Sequence, residues 1–178
     1  GLPGVVFRPA GMYGPGDLRF LKLFKSVNDG RFIMFGSGET FYHLVYIDDL
    51  IDGILLCGEH PDALGGTFII AGERWVTLNE WVAEIAAALK VPPPRLRLPY
   101  WPLEAAAIAC EGICKPFGIE PPLHPRRAHF FKKHRAFSIE RARRVLGYDP
   151  KITLAEGVRR TAAWYVENGY IESTRAAA

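Results

Sequence analysis

Tyr42-His43, with Tyr46 three positions further on, is the clearest acid–base constellation in this chain of 178 residues. A histidine between two phenols could serve as a general acid or base. In an extended segment, however, Tyr42 and His43 point to opposite faces, so a hydrogen-bonded strand histidine is expected instead. Asp48 and Asp49 stand together at the start of a helical pattern, where they suit the cap and the helix dipole better than a metal. Cys110 and Cys114 are four apart and can share a helix face, but no second Cys or His pair accompanies them, so no metal site is expected. Glu73-Arg74-Trp75 follows an apolar run and suits a pocket rim or a surface turn equally. The most informative stretch is Arg8-Pro9-Ala10-Gly11-Met12-Tyr13-Gly14-Pro15-Gly16-Asp17, which the β-prone residues Val5-Val6-Phe7 feed.

The elements that must hold these residues alternate between strand and helix. A strand is predicted at Val5–Arg8, followed by a loop and then a helix over Leu18–Val27 that ends at Asn28-Asp29-Gly30. Extended segments follow at Arg31–Phe35 and Thr40–Ile47, and Asp48 or Asp49 can cap a helix from Leu50 to Glu59. A further strand is predicted at Thr67–Ala71. Thr77 and Glu80 then have capping-box spacing for a helix that ends before Pro92-Pro93-Pro94. A short extended piece falls at Arg95–Leu98. Residues 101–114 are Ala-rich and apolar almost all round, which predicts a buried helix or the apolar wall of a pocket or interface, with a helix that lies on a membrane as a further alternative, since its length excludes spanning one. A basic helix at Pro125–Lys133, a short strand at Arg135–Phe137 and helices at Ser138–Leu146 and Leu154–Asn168 complete the pattern, before a loose tail at 173–178. Ser138 and Thr153 are the expected N-caps, and Gly147 and Gly169 the expected residues past the helix ends.

Composition limits the classes of function. No apolar run reaches the roughly 18–20 residues that span a bilayer, and no leader pattern opens the sequence. Three cysteines, Cys57, Cys110 and Cys114, are an odd number with no metal spacing, so incidental thiols of a reducing compartment are expected, with cytoplasm as the default. Residues 126–144 hold eight Lys/Arg against one acid, Glu140; that window carries +7 and the remainder −4 of a net charge of +3. Such a patch attracts phosphates or anionic surfaces. Phe130, Phe131 and Phe137 interleave its charges as stacking platforms for nucleic acid would, but their helical spacing turns them toward a core, so no nucleic-acid partner is expected.

Four spaced pieces together resemble the extended short-chain dehydrogenase/reductases, the NAD-dependent epimerase/dehydratase family. They are Phe7-Arg8-Pro9 with Tyr13-Gly14-Pro15; Val45-Tyr46-Ile47-Asp48-Asp49; Phe68-Ile69-Ile70-Ala71-Gly72-Glu73 before Val76-Thr77; and Phe137-Ser138-Ile139-Glu140-Arg141-Ala142 leading to Leu146-Gly147-Tyr148-Asp149-Pro150 and Leu154-Ala155-Glu156-Gly157. The resemblance covers nearly the whole chain but only the C-terminal part of the family pattern. It implies an α/β fold: the last strands of a Rossmann-type parallel sheet over residues 1–75, interleaved with substrate-lobe segments, and a mostly helical substrate-binding lobe over 76–172. It places Pro9 and Ala10 beside the nicotinamide of NAD or NADP.

The family's glycine-rich dinucleotide turn is absent, and no tyrosine here has a lysine four positions on, so the Tyr-x-x-x-Lys pair is missing too. The resemblance therefore implies no catalytic residue within these residues, an inactive fragment, and a catalytic half upstream. Unpaired parallel strands in such a fragment predict a homodimer or strand-swapped oligomer. On the substrate side the resemblance points to Gly11, Tyr13, Tyr42, Tyr46, Arg127 and Arg135. Gly11 stands where nucleotide-sugar members often carry Asn, Tyr42 near their diphosphate-clamping Arg, and Tyr46 in place of a frequent His. These departures favour the hydroxysteroid-dehydrogenase and dihydroflavonol-reductase branches, with less polar alcohols or ketones as substrates. Arg126, Arg127 and Arg135 fall where a phosphate-binding arginine is common and favour nucleotide sugars. A relative that binds dinucleotide without turnover is the third alternative.

Overall fold

The computed structural model describes residues 4–115 and 129–172. Its first half contains strands β1 (Val6–Pro9) and β2 (Gly11–Tyr13), helix α1 (Leu21–Asn28), strands β3 (Met34–Phe35), β4 (Phe41–Tyr42) and β5 (Leu44–Tyr46), and helix α2 (Ile47–Glu59). Then come β6 (Thr67–Ile70), β7 (Val76–Thr77), α3 (Leu78–Leu89), β8 (Arg97–Leu98), α4 (Tyr100–Cys114), α5 (Glu140–Leu146) and α6 (Leu154–Glu167). The expected tail at 173–178, and most of the expected basic helix at 125–133, lie outside the described residues; a single 3-10 turn occupies His129–Phe131.

Among the described residues, three of the four strand pairs are parallel. β1 runs beside β6 from Val6↔Thr67 to Pro9↔Ile70, and β2 runs beside β5 from Gly11↔Leu44 to Tyr13↔Tyr46. β3 pairs with β8 in parallel, and β4 pairs with β7 antiparallel. Parallel neighbours need long crossovers, and the segment from β1 to β6 supplies one that contains α1 and α2.

Two cores form. Phe68 and Ile70 of β6 pack with Leu50 and Cys57 of α2, Ala142 and Leu146 of α5, and Tyr148. Phe24 of α1, Trp81 and Ile85 of α3, and Val158, Ala162 and Tyr165 of α6 form the other, with Tyr13, Tyr42 and Tyr46 on its sheet side. Asp49 joins the two regions. It is buried, and its carboxylate accepts the backbone N–H groups of Lys151 at 2.9 Å and Ile152 at 3.0 Å, just ahead of α6.

Caps follow the sequence at α3 and α6. Thr77 and Glu80 make the reciprocal capping box, and Thr153 accepts from the N–H of Glu156. Elsewhere the structure corrects the expectations. The loop expected after Arg8 contains β2, because residues 11–13 find a ladder partner in β5 that no local pattern announces. The extended segment 40–47 is split at His43. α2 begins at Ile47 behind Tyr46, so neither Asp48 nor Asp49 is its N-cap. α5 starts at Glu140 rather than Ser138, although the Ser138 hydroxyl still accepts from the N–H of Glu140 at 3.3 Å. Arg135 forms only an isolated bridge with Tyr42 in place of a strand. Of the alternatives for 101–114, burial within the described residues is not realised: among the helix's described side chains only Ala107 is buried, because α4 meets the body of the protein along one narrow flank.

Candidate functional site at the strand ends

The parallel pair β1–β6 opens at its carboxyl end, and β5 enters the gap. The N–H of Ala10 donates to Ile70 O at 2.9 Å, completing the β1–β6 ladder. One residue later the N–H of Gly11 donates to His43 O at 3.1 Å, while on the other side Gly72 N–H donates to Leu44 O at 2.8 Å. The close approach at Gly72 excludes a side chain, since a Cβ there would lie 2.5 Å from Leu44 O. His43 fastens this junction. Its Nδ1 accepts the N–H of Phe137 at 3.4 Å and its Nε2 lies 2.9 Å from Gly72 O, so both nitrogens of the buried ring are engaged. A histidine so engaged has no nitrogen left for proton transfer.

Pro9 is exposed and Ala10 half-buried at this tip, beside Gly11. Tyr13 and Tyr46, at the ends of β2 and β5, meet edge to face at 5.7 Å between ring centroids. Both are buried. Burial, aided by Tyr46 and Asp49, pushes the Tyr13 phenol well above its ordinary range. α6 seats directly on this pair: a Cβ at Gly157 would collide with the Tyr13 hydroxyl and stand 2.9 Å from Tyr46, so only glycine lets the helix come this close. Both tyrosines line a cleft of about 400 Å³ with Gly72, Glu73 and Arg74. Arg74 is ion-paired to Glu80 at 3.1 Å within it.

Tyr42 and Arg135 form a separate cluster. The Tyr42 hydroxyl donates to the Phe130 carbonyl, and the Arg135 guanidinium lies 5.2 Å above its ring. Burial pushes this phenol up to about 12, although the neighbouring guanidinium opposes the shift. Arg135 also donates from its backbone N–H to Phe41 O at 2.8 Å. Arg127 lies outside the described residues. The structure thus groups Pro9 with Ala10 and Gly11, Tyr13 with Tyr46, and Tyr42 with Arg135, three neighbouring clusters rather than one.

Two features escaped the sequence. Phe41 packs, with tilted rings, between Trp75 at 4.2 Å and His134 at 4.7 Å, an aromatic ledge built by the β4–β7 ladder and the bridge at residue 135. Its members are far apart in sequence and only the ladder brings them together. Asp49, adjacent to an exposed Asp48, carried no local sign that it alone would be buried. Among the described residues no group of three or more His, Cys, Asp or Glu is arranged to hold a metal ion.

Comparison with known proteins links part of the chain to one family. The model of the NAD dependent epimerase/dehydratase family matches residues 1–71. Residues 1–71 carry the sequence pattern of that family. Relatives extend the likeness across most of the chain. An uncharacterized protein, y4nL, of Sinorhizobium fredii is 35% identical over 93% of this chain and 48% of its own length. The mouse sterol-4-alpha-carboxylate 3-dehydrogenase, decarboxylating, is 27% identical over 86% of this chain and 45% of its own. The UDP-glucose 4-epimerase of Vibrio cholerae is 31% identical over 92% and 47%. The chain therefore spans about half the length of the curated relatives it matches. Among solved structures, gox2253 superposes with a TM-score of 0.71 at 25% identity, covering 93% of this chain and 50% of that one. The Bacillus cereus UDP-glucuronic acid 4-epimerase in complex with NAD superposes at 0.65 and 20% identity, over 93% and 45%, which speaks for the fold alone. The fold is α/β with parallel strands and Rossmann-like neighbours.

Proposed function

We propose that these residues form the substrate side and the nicotinamide-side edge of an NAD(P)-dependent oxidoreductase or epimerase of this family, acting on a hydroxyl or keto carbon of a small molecule. The observation that carries it is the open end of the β1–β6 pair, where Pro9 and Ala10 stand beside Gly11 and His43. Ligands of open α/β sheets gather at such strand ends.

The residues present suit one part of a dinucleotide. Pro9 offers an exposed apolar ring without an N–H, and Ala10 has already given its N–H to Ile70, so neither demands a polar partner from a ligand. No glycine-rich turn with the dinucleotide spacing occurs in the sequence, so the phosphates would be held by other residues of the protein. Pro9 and Ala10 would pack against the nicotinamide, whose chemistry when bound is to accept or give a hydride. The proton-moving Tyr-x-x-x-Lys is likewise absent, and the 178 residues by themselves are expected to be inactive. The exposed β1 edge is expected to receive a further strand of the whole protein or, in the isolated chain, a second copy.

The substrate is proposed to be less charged than a nucleotide sugar. Tyr42 occupies the position implied for a diphosphate clamp, and its hydroxyl is already spent on Phe130 O. The half-buried Arg135 over the Tyr42 ring supports the nucleotide-sugar alternative instead. A test takes the protein as its gene encodes it and follows nicotinamide reduction with a 3β-hydroxysteroid, alongside chromatography of UDP-glucose and its epimer. Steroid-dependent reduction of NAD or NADP is the expected result. Turnover of UDP-glucose alone would establish the alternative, and dinucleotide binding with neither turnover would mark a non-catalytic relative. Failure to bind either dinucleotide would overturn the whole proposal.

A further inference from the structure

α4 is turned inside out relative to an ordinary surface helix. Successive residues are offset by about 100°, which puts Trp101, Ala105, Ile108 and Ala109 on one broad face and Glu104, Ala107 and Glu111 on the other. The apolar face is the exposed one: Trp101 is 72% and Ile108 61% accessible. The two acids lie on the half-buried flank, where Glu104 pairs with Lys132 at 3.2 Å. Leu96 and Leu98, which lead into the helix, are exposed as well.

Exposed cations stand before and after α4 in the chain, and one of them contacts the helix. Arg95, Lys115, Lys132 and Lys133 are exposed, and the Lys132 ammonium lies 5.1 Å over the ring of Tyr100 in the first turn of α4. Lys132 thus sets one cation of the basic window directly beside the helix.

We propose that this face rests on an anionic phospholipid surface, with α4 lying in the plane of the headgroups. At 15 residues the helix is about 22 Å long, too short to cross a bilayer that needs about 20 residues. No helix among the described residues is long and apolar enough to cross a membrane. A face of Trp, Ile and Ala offers a protein partner almost no hydrogen bonds with which to fix a register, whereas acyl chains require none. Trp101 at the first turn suits the headgroup boundary, and Lys132 beside the helix, with the exposed Arg95, Lys115 and Lys133 near it in the chain, complements anionic lipid. The placement is independent of the reaction proposed above.

Vesicle flotation of the protein as its gene encodes it tests this directly, using phosphatidylcholine vesicles and phosphatidylcholine vesicles containing phosphatidylserine. The expected result is flotation with the anionic vesicles, about tenfold weaker binding to phosphatidylcholine alone, and several-fold weakening at high salt. W101E/I108E should lower binding at least about tenfold with the thermal midpoint retained. The lipid and salt comparisons on the unaltered protein stand even if that variant misfolds. Absence of binding to either vesicle overturns the proposal, as does equal binding by the folded variant. A concentration-dependent dimer abolished by W101E/I108E, without vesicle binding, would assign the face to a second copy and overturn it equally.

Discussion

Phe24, Trp81 and Tyr165, from three different helices, are fully buried in one core, whereas Val6 and Phe7 of the parallel strand β1 are 51% and 40% exposed. The helical side closes on itself. α3 lies against both α1 and α6, and the phenol of Tyr165 reaches back to the carbonyl of Asp17. On the sheet side α2 and α5 cover Phe68 and Ile70 of β6, yet every residue of β1 is exposed. Parallel strands are ordinarily buried on both faces. The contrast teaches where self-sufficiency ends: the helical core finds its partners within these residues, while β1 presents apolar surface and an open edge at the proposed cofactor side.

The largest expected effect lies in the closed core. Trp81→Ala should cost about 3–5 kcal/mol in denaturant unfolding, since the indole has no exposure and its neighbours can collapse only partly. A loss below about 1 kcal/mol would show that the helical side is not the well-packed region described here. Next comes the joint between the regions. Asp49→Ala leaves the N–H groups of Lys151 and Ile152 without their acceptor and should cost about 3 kcal/mol. Separate unfolding transitions for the two cores should then replace a single one, as seen by calorimetry; one unchanged transition would break the claim that Asp49 couples them.

A comparable effect is expected at high pH. A phenol whose folded value is raised binds its proton more tightly in the folded state, so its contribution is complete below the ordinary tyrosine value and is lost as pH rises toward the folded one. For Tyr42 that window runs from 10.0 to about 12. The loss is on the order of 3 kcal/mol. Tyr13, Tyr148 and Tyr165, raised chiefly by burial, push in the same direction. Stability that stays flat through this range would contradict their burial as neutral phenols. Smallest is the cap of α3: Thr77→Ala should cost about 1 kcal/mol by thermal unfolding, a local effect that leaves the sheet side untouched.

Local patterns carried most of the helices. The capping box at Thr77 and Glu80, the Thr153 cap and the left-handed Gly147 are short-range signals, and the structure realises each of them. Strand partners are non-local, which is why β2 read as loop and the 40–47 segment as one strand: only pairing with β5 and β7 defines their limits. At the strand ends the Arg8–Asp17 stretch announced a junction, but its fastening by His43 depends on Phe137 and Gly72, distant in sequence. α4 was legible only as a set of alternatives, for a different reason. Apolar composition reports the surface a helix must hide but not whether this chain supplies the cover.

The central claim is that the tip of β1 is one wall of a nicotinamide site, and titration calorimetry with NAD and NADP measures it most directly. The protein as its gene encodes it should bind one of them. Ala10→Asp, which sets a carboxylate on that wall, should weaken binding at least about tenfold while the thermal midpoint holds. Undiminished binding by a folded Ala10→Asp protein would contradict the claim.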